Sequence, residues 1–219
     1  MSDEDIFWDD GIPPPRLQKG SKLFINNDER TNFDKAGGYA YFGFKKQSFL
    51  GYALEYIQAA NKLIQTIDDL PGREAYVLPI VFLYRHYIEL QLKSILEQEG
   101  CEILPRHHLD ALWTQVKPIL ERVFRQLSKK ELLAEMEAVE ERIIEFHEVD
   151  ERSYSFRYPI DRKGNPSLKN NRLLQSIEYI DLQHIANEMA SLDVFLGNAE
   201  LLLLISQGNA NHLLQNAIP

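Results

Sequence analysis

Apolar residues recur at helical spacing through most of the chain after Ser48. The most regular run is Leu132, Met136, Val139, Ile143 and Phe146, in which steps of four and three residues alternate. A stripe with this period lies on one face of an α-helix and is buried against other helices. The pattern therefore predicts an all-α protein, built as an up-and-down bundle of about five helices.

Capping residues and helix breakers predict where these helices begin and end. The predicted starts are Ser48, Glu74, His108 or Leu109, Ser128, and the residue after Asp181. Ser128 with Glu131 three residues later has the pattern of a capping box. Gly100 and Gly208 are expected to follow the ends of the second and fifth helices.

Two parts of the chain lack the helical pattern. Residues 1–47 contain a run of three prolines and scattered aromatic residues, which predicts an extended N-terminal arm. Residues 154–180 contain alternating apolar positions around a turn-rich stretch, which predicts a small two-stranded β excursion. The predicted organisation is thus the arm followed by one helical domain over residues 48–219.

Charge and cysteine content restrict the functions that are open to the chain. The net charge is −9, so a nucleic acid would have to bind at a local basic patch. The single cysteine, Cys101, excludes an intrachain disulfide framework and is typical of a reducing cytoplasm. The longest apolar runs are shorter than the roughly 20 residues that span a bilayer, and the N-terminus is acidic. A cytoplasmic protein with no membrane segment is expected.

Arg85, Glu89 and Lys93 form the first candidate binding cluster, on the second helix. A spacing of four residues places them within an arc of about 80° on one side of that helix. Buried charges are costly unless they are paired. The row is either an ion-pair ladder at the edge of the core or a polar site that faces a cleft.

Arg142 and His147 form the second candidate, on the fourth helix. They lie on opposite sides of the apolar stripe, so they diverge within one chain, although two copies could bring them together. An imidazole that titrates near neutrality and a guanidinium that binds phosphate are suited to phosphodiester cleavage. The alternative is that both belong to an ordinary solvated helix face.

Arg157, Tyr158 and Asp161 lie in the one local concentration of basic residues. They either contact a phosphate backbone or simply hold the excursion against the helices. His107 and His108 lack the nearby Cys or His that would complete a metal-ligand set, so they are expected to begin the third helix. His107 is also a candidate binding residue. No phosphate-binding glycine loop occurs, and no metal or other cofactor is predicted.

Three of these stretches together resemble the HEPN superfamily of small bacterial helical domains. Tyr84-Arg85-x3-Glu89-Leu90-x2-Lys93 is similar to the family's Y-R-x3-E-L-x2-K helix. His107-His108-Leu109-x2-Leu112 is similar to its H-[DN]-L-x2-L turn, and Arg157-Tyr158-Pro159 is similar to its R-Y-P. The likeness covers roughly residues 75–160, and the order of the three stretches is the family's.

The resemblance implies a dimeric helical bundle of the kind found in toxin–antitoxin pairs, in antiphage defence and beside nucleotidyltransferases. Many HEPN domains are metal-independent ribonucleases whose R-x4-6-H residues form a composite site across the dimer. Arg142 and His147 have that spacing, but Ile143 stands where the family usually has a polar residue.

Three functions follow as hypotheses. The first is a homodimer that cleaves RNA, in which His147 transfers protons, Arg142 holds the scissile phosphate, and Arg157 and Tyr158 steady the strand. The second is a non-catalytic interaction or scaffold module with a protein partner such as a nucleotidyltransferase or an antitoxin. The third is a nucleotide-binding accessory domain that uses the row beginning at Arg85.

Overall fold

The computed structural model describes Lys19 and residues 48–67, 72–103, 107–161, 163–168 and 179–208. All of these except Lys19 belong to the second of the two units into which the chain divides, Phe44–Pro219. The predicted N-terminal arm, residues 1–47, lies outside the described residues apart from Lys19.

The described residues are mostly α-helical, as the apolar spacing predicts. The helices are α1 (Phe49–Thr66), α2 (Val77–Gln98), α3 (Leu109–Gln126), α4 (Lys130–Val149) and α5 (Leu182–Ser206). A short 3-10 helix, Arg73–Tyr76, leads into α2. The all-α class is therefore confirmed for this part of the chain.

Two predicted caps are confirmed by their side-chain hydrogen bonds. Ser48 Oγ accepts from the Gly51 amide at 3.0 Å, so it satisfies one of the free N–H groups at the start of α1. Asp181 Oδ1 accepts from the His184 amide at 2.9 Å at the start of α5. The polar side chains before these helices thus fix where each one begins.

The predicted cap at Ser128 is wrong, because this residue ends α3 rather than beginning α4. Ser128 is left-handed, with φ of 56°, and its amide donates to Arg125 O. The Lys129 amide donates to Phe124 O at 2.8 Å, which completes a Schellman arrangement at the end of α3. Helix α4 begins one residue later without a side-chain cap.

Helix α2 is the centre of the core. It packs against α1, α3 and α5, and nearly all of its residues from Ile80 to Leu96 are buried. Pro79 lies in its first turn, where the missing N–H would have had no helical partner, so no kink is required. Helix α3 adds a second layer of contacts with α4 and α5.

Buried polar side chains connect α2 to its neighbours. The Tyr84 hydroxyl donates to Asn61 of α1 at 2.8 Å, and the Tyr87 hydroxyl donates to Asp193 of α5 at 2.6 Å. Glu200 of α5 accepts from three residues of α2, namely Gln91, Ser94 and Gln98. Burial raises the pKa of Glu200 above its usual range, even though these hydrogen bonds act in the opposite direction.

Helix α5 is the one helix in the described ranges that has the length and the apolar composition to cross a membrane. Its inward face packs in the core through Met189, Leu192, Phe195, Leu196, Ala199 and Leu203. Part of its outer face is apolar as well: Val194, Leu201 and Ile205 are exposed.

The segment after α4 has no strand among its described residues. Residues 155–157 form turns, and within the described part of this segment one antiparallel bridge joins Ile160 to Pro166. Residues 169–178, which hold most of the second half of the predicted β excursion, lie outside the described residues. The two-stranded excursion therefore stays a prediction.

Candidate functional site

Arg85 ties α2 to the two chain segments that flank α3 and α4. Its side chain is completely buried. Its Nε donates to the Asp150 carbonyl at 2.9 Å, just after α4, and one terminal nitrogen donates to the His107 carbonyl at 2.6 Å, just before α3. One guanidinium thus holds the backbone at His107, before α3, and at Asp150, after α4.

Glu89 is the acidic member of a buried cluster that it forms with Arg85 and Lys93. Its carboxylate contacts Arg85 at 3.2 Å, Lys93 Nζ at 2.7 Å and His107 Nδ1 at 2.8 Å. The pairs of Glu89 with Arg85 and Lys93 are the ion pairs that the predicted ladder requires. The ladder is buried, however, rather than at the edge of the core. Burial alone would raise the pKa of Glu89, but Lys93 and His107 together hold it below its usual range.

Asp150 shapes the loop that follows α4. Its Oδ1 accepts from the amides of Tyr154 and Ser155 at 2.7 and 2.9 Å. The loop turns back through Ser153, which is left-handed with φ of 55°. Because Asp150 is also held by Arg85, the buried cluster determines the position of this surface loop.

A groove of about 790 Å³ opens between this loop and the start of α3. It is lined by His107, His108, Asp150, Glu151, Arg152, Tyr154, Ser155, Arg157, Tyr158, Asp161, Lys163, Asn165, Pro166 and Ser167. The candidate residues His107, Arg157, Tyr158 and Asp161 therefore come together in one place. Arg85, Glu89 and Lys93 lie beneath the groove and do not line it.

Arg157 is placed by the loop and by aromatic rings. Its Nε donates to the Ser153 carbonyl at 2.6 Å, and its guanidinium carbon lies 5.6 Å from the ring centroids of Phe82 and Tyr158. Among the described residues, no carboxylate forms a salt bridge with Arg157 or Lys163. Both cations are therefore available to an anion in the groove.

Tyr154 and Tyr158 form an aromatic wall. Their ring centroids are 4.5 Å apart, and Tyr158 is 47% exposed. Tyr158 is thus not packed into the core, in contrast to the structural interpretation of this segment. A planar, exposed ring beside a cation can stack against a nucleobase.

Asp161 closes a turn at the edge of the groove. Its Oδ1 accepts from the amides of Lys163 and Asn165, both at 2.8 Å. Hydrogen bonds from Asn165 hold the pKa of Asp161 below its usual range. The carboxylate of Asp161 therefore positions Lys163. The hydrogen bonds of Asp161 are made within this turn and do not connect the loop to the helices.

His108 and His147 meet at the edge of the groove, a contact that was not anticipated from the sequence. Their ring centroids are 5.8 Å apart. His147 Nε2 lies 3.4 Å from Asp110 Oδ1, while Nδ1 is buried with no hydrogen-bond partner among the described residues. Two imidazoles and a carboxylate thus converge at the edge of the groove.

Arg142 has different neighbours from His147 within the chain. Its guanidinium is bound by Glu188 of α5, with nitrogen–oxygen distances of 2.8 and 2.7 Å, and also donates to the Ala138 carbonyl. His147 instead contacts the start of α3. A single chain therefore does not bring the predicted R-x4-H pair together at the groove.

Comparison with known proteins gives no relative: no protein-family model matches the chain, and neither a curated protein nor a solved structure matches it. The HEPN resemblance therefore rests on the three sequence stretches alone. Four residues of these stretches belong to the buried cluster or to the groove above it, namely Arg85, Glu89, His107 and Arg157.

Proposed function

We propose that the protein is a HEPN-like, up-and-down helical bundle that works as a homodimer, binds single-stranded RNA in the groove and cleaves it without a metal ion. The observation that carries the proposal is the composition of the groove. Arg157 and Lys163, which have no salt-bridge partner among the described residues, two tyrosines in tilted ring contact and a pair of imidazoles line or adjoin one space. Toxin–antitoxin or antiphage systems are the expected setting.

The charge distribution favours this groove over the exposed face of α4 for a polyanion. The net charge of −9 opposes RNA binding in general, and α4 presents six exposed glutamates, at positions 131, 135, 137, 141, 145 and 148. Arg157 and Lys163 lie off that acidic face, on the loop after α4. A phosphate backbone would therefore approach the groove from the loop side, and its affinity would fall with added salt.

The two imidazoles supply the chemistry for cleavage. One neutral imidazole accepts the proton of a ribose 2′-OH while the 2′ oxygen attacks the adjacent phosphorus. The other, protonated, imidazole donates its proton to the 5′ oxygen as the P–O5′ bond breaks. The products are a 2′,3′-cyclic phosphate and a 5′-OH end, and we assign His147 and His108 to the two proton transfers.

A second copy of the chain would supply what one protomer lacks. Arg142 is bound by Glu188 within its own protomer, so in this proposal it reaches a scissile phosphate only across a dimer. Val194, Leu201 and Ile205 lie along one stripe of α5 and are exposed. Their spacing of seven and four residues keeps them within about 40° of the helix circumference, as at a helix-packing interface.

The proposal predicts that Lys163→Ala and Arg157→Ala weaken binding of a short single-stranded RNA by about 5- to 10-fold each, because each variant removes one phosphate contact. Fluorescence anisotropy in the presence of a chelator measures the affinity. The plot of log affinity against log salt should also become less steep by about 0.7 for each cation that is removed.

Arg125→Ala is the matched control, because Arg125 is an exposed arginine on α3 that does not line the groove. It is expected to bind RNA as the wild type does. An equal loss of affinity in the control and in Lys163→Ala would show that RNA does not bind in the groove.

The non-catalytic interaction module is favoured by two observations. Glu188 occupies Arg142, and the exposed face of α4 is strongly acidic. Such a face suits a basic protein partner, with a nucleotidyltransferase or an antitoxin as the expected type. Wild-type protein that neither binds nor cleaves RNA would support this second function over the first.

A further inference from the structure

We propose that His108, Asp110 and His147 form a binding site for a first-row transition metal ion, with Zn²⁺ as the best fit. One ligand atom from each residue lies within 4.8 Å of the corresponding atoms of the other two. Two imidazoles and a carboxylate are a common three-ligand set for Zn²⁺, which leaves a fourth position for water or a ligand.

The distance between His147 and Asp110 fits shared ligation better than a hydrogen bond. His147 Nε2 and Asp110 Oδ1 are 3.4 Å apart. Hydrogen bonds of this type are normally about 2.7–3.2 Å long. Two ligands on a tetrahedral ion with bonds of about 2.0–2.1 Å lie about 3.3 Å apart, so this pair is already spaced as an edge of the coordination polyhedron.

The surroundings hold the three side chains in place. Asp110 Oδ1 accepts from the Ala111 amide at 2.7 Å in the first turn of α3, which orients the carboxylate. Glu151 Oε1 lies 3.8 Å from His108 Nδ1, where it can pair with that imidazole when the other ring nitrogen binds the metal. His147 Nδ1 is buried, so Nε2 is the nitrogen that points to Asp110.

The three ligand atoms lie within 4.8 Å of one another, and the backbone that carries them is held by the packing of two helices. The three ligands come from residues at the start of α3 and the last turn of α4, which pack against each other. His108 also lines the groove, so an open coordination position would face whatever the groove contains.

Metal binding would compete with the proposed proton transfer. A bound ion takes the lone pair with which His147 would accept a proton, so Zn²⁺ is expected to inhibit RNA cleavage. This consequence rests on the proposed function, whereas the metal site itself does not. The two are therefore tested by separate measurements.

The test is a calorimetric titration of the full-length chain, purified without a histidine tag and stripped with a chelator, with Zn²⁺ alone. We expect one ion per chain, and at least about 10-fold weaker binding in His147→Ala and in Asp110→Asn. His184→Ala removes an exposed histidine of α5 that is not in the cluster, and it should bind Zn²⁺ as the wild type does.

Circular dichroism checks that each variant keeps its helical content. An absence of Zn²⁺ binding by the wild type would overturn the proposal. Equal weakening in His184→Ala and His147→Ala would also overturn it, because the ion would then be bound by surface histidines in general.

Discussion

Replacing Glu89 with alanine is expected to lower the free energy of unfolding by about 3–5 kcal/mol, the usual cost of removing one partner from a buried ion pair. Glu89 is 1% exposed and faces Arg85, Lys93 and His107. Without the carboxylate, Arg85 and Lys93 would be buried cations with less compensation. Because Arg85 also holds the backbone at His107 and Asp150, the groove should loosen as well.

Urea unfolding followed by circular dichroism measures this effect. Glu97→Ala is the matched control, since Glu97 is an exposed glutamate on the same helix, and it should change the free energy of unfolding by less than about 0.5 kcal/mol. Similar values for the two variants would contradict the account of the buried cluster.

The same carboxylate gives a pH dependence with a definite sign. The pKa of Glu89 in the folded protein lies below its usual value of 4.5. Its contribution to stability is therefore present above pH 4.5 and is lost as the pH falls through the folded-state pKa. Acidification should destabilise the wild type more than Glu89→Ala, so the two denaturation midpoints should converge at low pH.

If the protein cleaves RNA as proposed, His147→Ala is expected to slow the cleavage by about 100- to 10,000-fold, the range for loss of a general acid or base. The reason is the position of His147 beside His108 at the edge of the groove. A labelled single-stranded RNA incubated with the protein in chelator measures the rate, and the ends of the product identify the reaction. RNA affinity should change little, because the proposed function assigns the phosphate contacts to Arg157 and Lys163 rather than to the imidazoles.

His184→Ala, on the exposed first turn of α5, controls for a general effect of losing a histidine. It should cleave at the wild-type rate. If His147→Ala cleaved RNA at the same rate as the wild type, the activity would belong to a different group or to a contaminating nuclease.

The helices were predictable because their signals are local. The apolar stripe of α4 and the side-chain caps at Ser48 and Asp181 each act within a few residues. The prediction of a cap at Ser128 was wrong for a related reason. A serine three residues before a glutamate fits a helix start, but the backbone hydrogen bonds that end α3 occupy this position first.

The buried cluster was only partly predictable. The four-residue spacing of Arg85, Glu89 and Lys93 indicates an ion-pair ladder, and the structure contains those pairs. The hydrogen bonds from Arg85 to the carbonyls of His107 and Asp150 join residues 22 and 65 positions apart. No periodicity within one helix carries that information, so the position of the groove required the tertiary structure.

The meeting of His108 with His147 could have been inferred. Helices α3 and α4 are joined by a short turn, which places two helices of similar length side by side and antiparallel. His108 lies just before α3 and His147 lies near the end of α4, so the two are at the same height. The conformation of the loop after Asp150, which brings Arg157 and Tyr158 to the same place, could not be predicted from the sequence.

Ultraviolet cross-linking of bound single-stranded RNA, followed by mass spectrometry of the tryptic peptides, tests most directly whether the groove is the RNA site. If RNA lies in the groove, the cross-links should concentrate on Tyr154 and Tyr158, within peptides 153–157 and 158–162. Cross-links that instead concentrate on other helices, or an absence of any cross-link at an RNA concentration that saturates the protein, would contradict the account.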